Sequence, residues 1–301
     1  MLSTVFFGFE RALTAGKKVR ETKGDVSASI TLELKHKGIE VCYLPEHIVQ
    51  HPELLWEYVS CTVREQSECM LVSDSPALLY EAQRLQLSAV GYAEEGCTES
   101  LPISCRYVIE GLESLCYKVL LQTYQRIMGR PLTIAETARL VLRELCEDDL
   151  ERMYEISREA SVCAYVHDMP SEREDAMKYM RAYIQEVYPF YGYGYWGIYL
   201  KENGALIGRC GIQEGSITEE GDVRIGYLLA SEFTGQGYAR EAVKAVIKFA
   251  FEELQMKRVS AWIKADNKRS VTVAIGCGMR CVAVRQRDEL EYRYLIDNGC
   301  C

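Results

Sequence analysis

The sequence predicts an α/β protein built as two domains: a smaller three-layer, Rossmann-like unit over residues 1–131 and a larger α/β unit over residues 138–301. Three observations carry this. A chain of 301 residues is longer than one typical domain and suits two of ordinary size. Its first part alternates apolar strand-like runs with helical patterns, an order that implies a parallel sheet with helices packed on it. Gly129-Arg130-Pro131 then ends a helical stretch with a stop and a breaker, leaving Leu132 to Thr137 as a short linker.

Composition narrows the class. A hydrophobic content of 48% and a charged content of 26% are ordinary for a soluble globular protein. A net charge of −9 argues against a nucleic-acid-binding surface. No apolar run is long enough to cross a bilayer, so no membrane partner is expected. The N-terminus MLSTVFFGFERAL has an apolar core of a few residues with no charged region before it, unlike a secretory signal. The 13 cysteines show no C-x-x-C or Cys/His pairing, Cys277 and Cys281 being the nearest, so no metal is expected. Reduced thiols in a cytoplasmic protein are the default. The pair Cys300–Cys301 outwardly resembles a prenylation signal, but nothing else in the chain goes with it. A homodimer is compatible with all of this.

In the first unit, Val41 to Leu44 reads as a short strand and Pro52 to Glu65 as a helix with proline in its first turn. An apolar strand from Cys69 ends at Asp74, a helix runs from Ala77 to Leu85, and Ser88 to Tyr92 is the next strand. A helix over Glu113 to Met128 closes the unit. The segment LVSDSPALLYEAQRLQLSAVGY resembles the last conserved segment of haloacid-dehalogenase-like hydrolases, where an acid at the position of Asp74 helps to hold Mg²⁺. The family's nucleophile motif, D-x-D-x-T/V, is missing, since Asp25 has no second Asp two residues on. One carboxylate alone is a poor Mg²⁺ site. The expectation is a truncated, non-catalytic relative in which Asp74 and Ser75 cap the following helix.

In the second unit, Arg139 to Glu144 alternates as a half-buried strand. Cys146 to Asp149 opens a helix with acids in its first turn, running to about Glu159. Residues 161–170 form a loop, and Ser171 to Glu174 has the Ser-x-x-Glu form of a capping box before a second helix ending near Val187. Strands follow at Tyr195 to Lys201, Leu206 to Gln213 and Val223 to Leu229. A helix opens at Ala239, with apolar residues at Ala242, Val243, Val246, Ile247, Ala250 and Leu254. A strand at Arg258 to Lys264, a helix at Asn267 to Cys277, and strands around Cys281 to Arg287 and Glu291 to Ile296 complete the order.

The turn between Leu229 and that long helix carries Gly235 and Gly237 around Gln236. Glycines at a helix start leave backbone N–H groups uncovered at the positive end of the helix dipole, which suits a phosphate or pyrophosphate. It is neither a Walker A loop nor G-x-G-x-x-G, because no Lys-Ser/Thr pair follows and Arg240 stands where a third glycine would be.

Thr234-Gly235-Gln236-Gly237-Tyr238-Ala239 resembles the Q/R-x-x-G-x-G/A motif of the GNAT superfamily of acetyl-CoA-dependent N-acyltransferases, with Thr234 where Arg or Gln is usual. The wording IGYLLASEFTGQGYAREA is similar to the branch that acetylates ribosomal-protein N-termini, and the likeness covers roughly residues 138–297. It implies a mixed, mostly antiparallel central sheet, splayed between its fourth and fifth strands and flanked by helices. It implies acetyl-CoA as cosubstrate, with the glycine turn on the pyrophosphate and Tyr227, Leu228 and Leu229 beside the pantetheine arm. The acceptor would be an amine, either a peptide N-terminus or a small molecule, attacking the thioester directly.

A second motif, Asn267-Lys-Arg-Ser270, resembles the family's N-x-x-S helix, with Met279 in place of its usual phenylalanine. The likeness assigns Asn267 to the cofactor end, although capping alone also accounts for it, and Ser270 to the sulfur. Many relatives use a tyrosine seven residues after the Asn as general acid, and Ala274 stands there. The likeness also points to Glu289, between the last two strands, as the catalytic base, with Asp288 beside it and Glu214 and Asp222 in reserve. Tyr188 to Trp196 is unusually aromatic and, with the 161–170 loop and its His167, would line the acceptor pocket. Two alternatives stand beside transfer: a non-catalytic acyl-CoA sensor, and an Mg²⁺-dependent phosphatase in the first unit.

Overall fold

Short apolar runs build an all-parallel sheet in the first part of the chain. The computed structural model describes residues 1–9, 29–63, 65–94, 96–97, 101–102, 105–111, 114–214, 221–286 and 289–299. The chain separates into two units, Met1–Arg130 and Pro131–Cys301. Asp25, Asp288 and the Cys300–Cys301 pair lie outside the described residues.

In the first unit, β1 (Thr4–Gly8), β2 (Glu40–Tyr43), β3 (Cys69–Ser73), β4 (Ser88–Ala93) and β5 (Val108–Glu110) are arranged in the order β2-β1-β3-β4-β5, all parallel. The N-terminal run TVFFG, with no reading of its own in the sequence, is the middle of this unit. Its Val5 and Phe7 pack on one side with Leu34, Leu120 and Tyr124, and Phe6 on the other with Leu55, Val59 and Leu78. Burial on both faces is what helices on both sides of a parallel sheet require. Those helices include α1 (Leu55–Thr62), α2 (Pro76–Arg84) and α3 (Tyr117–Ile127).

The expected cap on α2 is corrected. Ser75 holds the cap position without a side-chain cap bond, and Asp74 is buried. Ser73 ties the strand end instead: its Oγ accepts the Ser75 N–H at 3.0 Å and donates to the Gly8 carbonyl. A Cβ at Gly8 would meet Leu44 and Leu78 at 2.8 Å, so side chains already fill the space in front of β1.

The second unit is organised on an eight-stranded sheet in the order β12-β13-β11-β10-β9-β8-β7-β6. Its strands are β6 (Thr133–Glu136), β7 (Leu140–Arg143), β8 (Tyr195–Leu200), β9 (Leu206–Glu214), β10 (Asp222–Leu229), β11 (Arg258–Lys264), β12 (Arg280–Gln286) and β13 (Leu290–Asp297). Every neighbouring pair is antiparallel except β10 and β11. The segment expected as a linker is β6, an edge strand paired to β7, with Ile134 and Ala135 packed on the core.

Alternation along β10 sorts the two faces of the sheet. Val223, Ile225 and Leu229 join the core under α6 (Tyr238–Glu252) and α7 (Lys268–Gly276). Leu228 faces the other way, into a cluster with Met153 of α4 (Leu150–Ser157) and Met177 and Met180 of α5 (Arg173–Ala182). The capping box expected at Ser171–Glu174 does not form: α5 begins at Arg173 with Glu172 at its cap position and no side-chain cap bond. A capping box is found ahead of α4, between Cys146 and Asp149, whose carboxylate is also fixed by Arg143 at 3.0 Å.

Candidate active site

The one parallel junction in this sheet is also where it opens. β10 and β11 keep register over Asp222↔Arg258, Val223↔Val259 and Arg224↔Ser260, and the five residues from Ile225 to Leu229 have no register partner on β11. On its other edge β10 stays paired to β9 as far as Leu229↔Gly208. A strand that keeps one neighbour and leaves the other exposes backbone donors and acceptors along a groove.

The glycine turn lies at the end of that groove. Gly235 and Gly237 have φ of +77° and +83°, in the left-handed region that only glycine enters without strain. Gly237 is the cap residue of α6 and carries no side-chain cap bond, so the helix's first N–H groups have neither an intrahelical acceptor nor a cap. The neighbouring side chains turn back on the preceding turn: Thr234 Oγ1 donates to the Ser231 carbonyl at 2.8 Å and Gln236 Nε2 to the Glu232 carbonyl at 2.9 Å. A Cβ at Gly235 would meet nothing within 4 Å. The arrangement is an open anion cradle, and it fits a pyrophosphate.

Arg139, at the entrance to β7, holds this turn in place and was not singled out from the sequence. Its Nη1 donates to the Gln236 carbonyl at 3.1 Å, and its guanidinium lies 4.3 Å from the centre of the Tyr238 ring. Its Nε donates to Glu241 Oε2 at 2.8 Å. Burial works to raise the Glu241 carboxyl, but hydrogen bonds from Thr137 and from Arg139 outweigh it and hold the group below the usual carboxylate range.

The second motif meets the groove through Tyr227, whose hydroxyl donates to the Ser270 carbonyl at 3.4 Å. Burial above all pushes the Tyr227 phenol well up, so it remains a donor. Asn267 has a capping role: its Oδ1 accepts the Ser270 N–H at 3.1 Å. Ala274 and Met279 are buried in the core.

The candidate carboxylates separate clearly. Asp222 lies at the far end of β10, seven residues from Leu229 and so roughly 23 Å along an extended strand. It is buried in an ion pair with Arg293 at 2.7 Å and also takes a hydrogen bond from Ser260. That is a structural role. Glu214 and His167 are exposed. Glu289 is exposed and paired to Lys264 at 2.9 Å. Continuing the β10–β11 register would bring Lys264 level with Leu228, so this ion pair stands at the open end of the groove.

On the opposite face, a small open pocket is lined by Met153, Met169, Tyr179, Tyr183, Tyr195 and Arg209 among others. It unites the 161–170 loop with one residue of the aromatic stretch, Tyr195. Arg209, only 7% exposed in its side chain, is paired with Asp168 of that loop and stacks on the Tyr195 ring at 4.9 Å. A lone arginine inside the apolar run Leu206 to Ile212 was the signal available in the sequence. Tyr188 and Trp196 from the aromatic stretch are instead fully buried in the core. Among the described residues, no group of three or more His, Cys, Asp or Glu side chains could hold a metal, and no helix is long and apolar enough to cross a membrane.

Comparison with known proteins bears on the same unit. Residues 139–280 match the family described as acetyltransferase (GNAT) domain. The Bacillus subtilis protein YkkB, uncharacterized by name, is 37% identical over 89 residues, or 30% of this chain and 52% of its own, so the match spans about half of that relative. The uncharacterized N-acetyltransferase YoaA of Bacillus subtilis is 26% identical over 168 residues, 55% of this chain and 90% of its own. Among solved structures, RimL, a ribosomal L7/L12 alpha-N-protein acetyltransferase in complex with coenzyme A, is 16% identical with a TM-score of 0.50, over 56% of this chain and 100% of its own. That likeness is one of fold. The splayed sheet and the glycine turn at its mouth, with the family match over residues 139–280, give the second unit of this chain the fold of a GNAT acetyltransferase domain.

Proposed function

We propose that the protein transfers an acetyl group from acetyl-CoA to a primary amine by direct attack, with no acyl-enzyme. The observation that carries this is the continuity of the unpaired half of β10 with the uncapped N-terminus of α6. Together they offer a row of backbone groups for an extended chain and a cradle for the phosphates that follow it. Bound acetyl-CoA would supply the activated thioester, and the remaining work falls to the chain's own residues.

The turn from Thr234 to Ala239 would bind the pyrophosphate through backbone N–H groups, with Gln236 and Tyr238 held in position by Arg139. Tyr227 and Leu229, whose backbone groups face the open edge while those of Leu228 face β9, would hydrogen-bond the pantetheine amides as an added strand does. Ser270, fixed by Asn267 and Tyr227, would stand near the sulfur. Glu289, paired with Lys264, would take the proton of the incoming ammonium, directly or through water. The cavity around Tyr195 and Met169 would receive the acceptor. RimL, named for acetylating a protein N-terminus, supports including peptides in the search.

A second reading, an acyl-CoA sensor without turnover, is favoured by one observation: alanine, buried in the core, occupies the position of the usual acid. Release of free CoA from acetyl-CoA across a panel of peptides and small amines separates the two. Amine-dependent release with a matching mass gain supports transfer. Saturable binding with no release from any amine supports the sensor.

A further inference from the structure

Tyr195 stands in register with Gly211 on β9, and Gly211 in turn with Gly226 on β10. Both partners are glycines. A Cβ at Gly211 would strike the backbone of Gly194 and Tyr195, so β8 closes down on β9 at this point. A Cβ at Gly226 would lie 2.6 Å from the Tyr195 hydroxyl. Neighbouring strands are about 4.8 Å apart, so the ring crosses β9 and sets its oxygen on the third strand. Gly226 is the second residue of the stretch of β10 that has left β11. The hydroxyl is therefore placed where the groove begins to open, while the same side chain lines the cavity on the acceptor face.

The ring is held firmly. The Arg209 guanidinium packs on its face, the Tyr195 N–H donates to Tyr183 Oη at 2.7 Å, and the Tyr195 carbonyl accepts from Tyr188 Oη at 2.5 Å. A proton-bearing group thus stands fixed at the junction of groove and cavity, in a domain where alanine occupies the usual acid position.

We propose that Tyr195 is a catalytic residue whose hydroxyl donates to the departing sulfur, an assignment that rests on the acetyl-CoA reading above. As the amine nitrogen bonds to the carbonyl carbon, the carbon–sulfur bond breaks and its electron pair stays on sulfur. Tyr195 Oη gives its proton to that sulfur, and the oxygen recovers the proton that the nitrogen sheds on becoming an amide. Products are the acetamide and the free thiol, with no other reactant. Burial, the largest influence, pushes the phenol up to about 12 against the lowering effect of Arg209, so it carries its proton at neutral pH.

The test uses the full chain and the Tyr195→Phe variant, which keeps the ring on its glycines and removes only the hydroxyl. CoA binding is measured by calorimetry from about pH 7 to about pH 9.5, across the ordinary thiol pKa of ~8.5, with desulfo-CoA as the control. Arg209, Asp168, Cys210 and Arg224 neighbour the ring in both proteins, so their titration is common to both curves. A hydrogen bond to the thiolate should make the native protein's CoA affinity rise about tenfold over that range relative to desulfo-CoA. Tyr195→Phe should lose that rise, keep its desulfo-CoA affinity, and lose about 100-fold in transfer rate. Gly226→Ala, which displaces the hydroxyl while retaining it, should lose the rise as well. An identical rise in native and Tyr195→Phe proteins overturns the assignment and leaves the acyl-CoA site intact. No binding of either ligand by the native protein overturns the site and the assignment with it.

Discussion

Arg139 and Gln236 are joined by a hydrogen bond of 3.1 Å from a guanidinium nitrogen to a backbone carbonyl, which fastens the glycine turn to the entrance of β7. The same side chain stacks on Tyr238 and pairs with Glu241, so three residues of the turn and the helix behind it depend on one arginine. Arg139→Ala should weaken acetyl-CoA binding about tenfold, the equivalent of about one charge-assisted hydrogen bond. Being half-exposed, the substitution should change urea stability by less than about 1 kcal/mol. Calorimetry and urea unfolding on the same samples check both halves.

Gly237→Ala forces a Cβ into φ of +83° at the helix cap. It should cost about 1–2 kcal/mol of stability and remove measurable acetyl-CoA binding. Gly226→Ala changes a residue elsewhere on the groove with ordinary φ, so the comparison separates backbone strain from crowding. Thermal unfolding with and without acetyl-CoA reads both effects.

Glu241 allows a pH test with a definite sign. Its folded carboxyl is held below the usual range, so its contribution is fully present above the unfolded value of ~4.3 and is lost as pH falls through the folded value. The stability difference between native protein and Glu241→Gln should therefore be constant from about pH 7 to about pH 5 and shrink below about pH 4. Urea unfolding across that range measures it. A difference that grows on acidification contradicts the Arg139–Glu241 arrangement.

Asp168 and Glu289 should respond in opposite ways. Asp168→Ala leaves Arg209 buried without its carboxylate and should cost about 2 kcal/mol in urea unfolding. Glu289→Gln removes an exposed carboxylate, 53% accessible, and should leave stability within about 0.5 kcal/mol. With Glu289 as the base, kcat with any accepted amine should fall about 100-fold.

The glycine turn was legible because its geometry is local to the backbone. Two glycines at a helix start can be read in one line of sequence, and both have the left-handed φ that requires them. Apart from β6, which reads as a linker, the order of strands and helices in the second unit was likewise visible in its hydrophobic periodicity. What escaped depends on partners far apart in the chain. Nothing in Ile225 to Leu229 marks where pairing with β11 stops, and the splay was expected only from the family likeness. Arg209 was visible as a charge in an apolar run, but its partner Asp168 is 41 residues away. TVFFG carries no alternation to mark it, because a strand buried on both faces is apolar throughout. Ser171 misled because Ser-x-x-Glu also occurs where the helix starts at another residue.

The opened edge of β10 and the turn behind it are proposed to form one acyl-CoA site. Calorimetric titration of the full chain with acetyl-CoA, repeated on Gly237→Ala, tests it most directly. The expected result is saturable one-to-one binding by the native chain that Gly237→Ala abolishes while remaining folded. Absence of heat and of binding in the native chain at saturating acetyl-CoA, or unchanged affinity in Gly237→Ala, would contradict it.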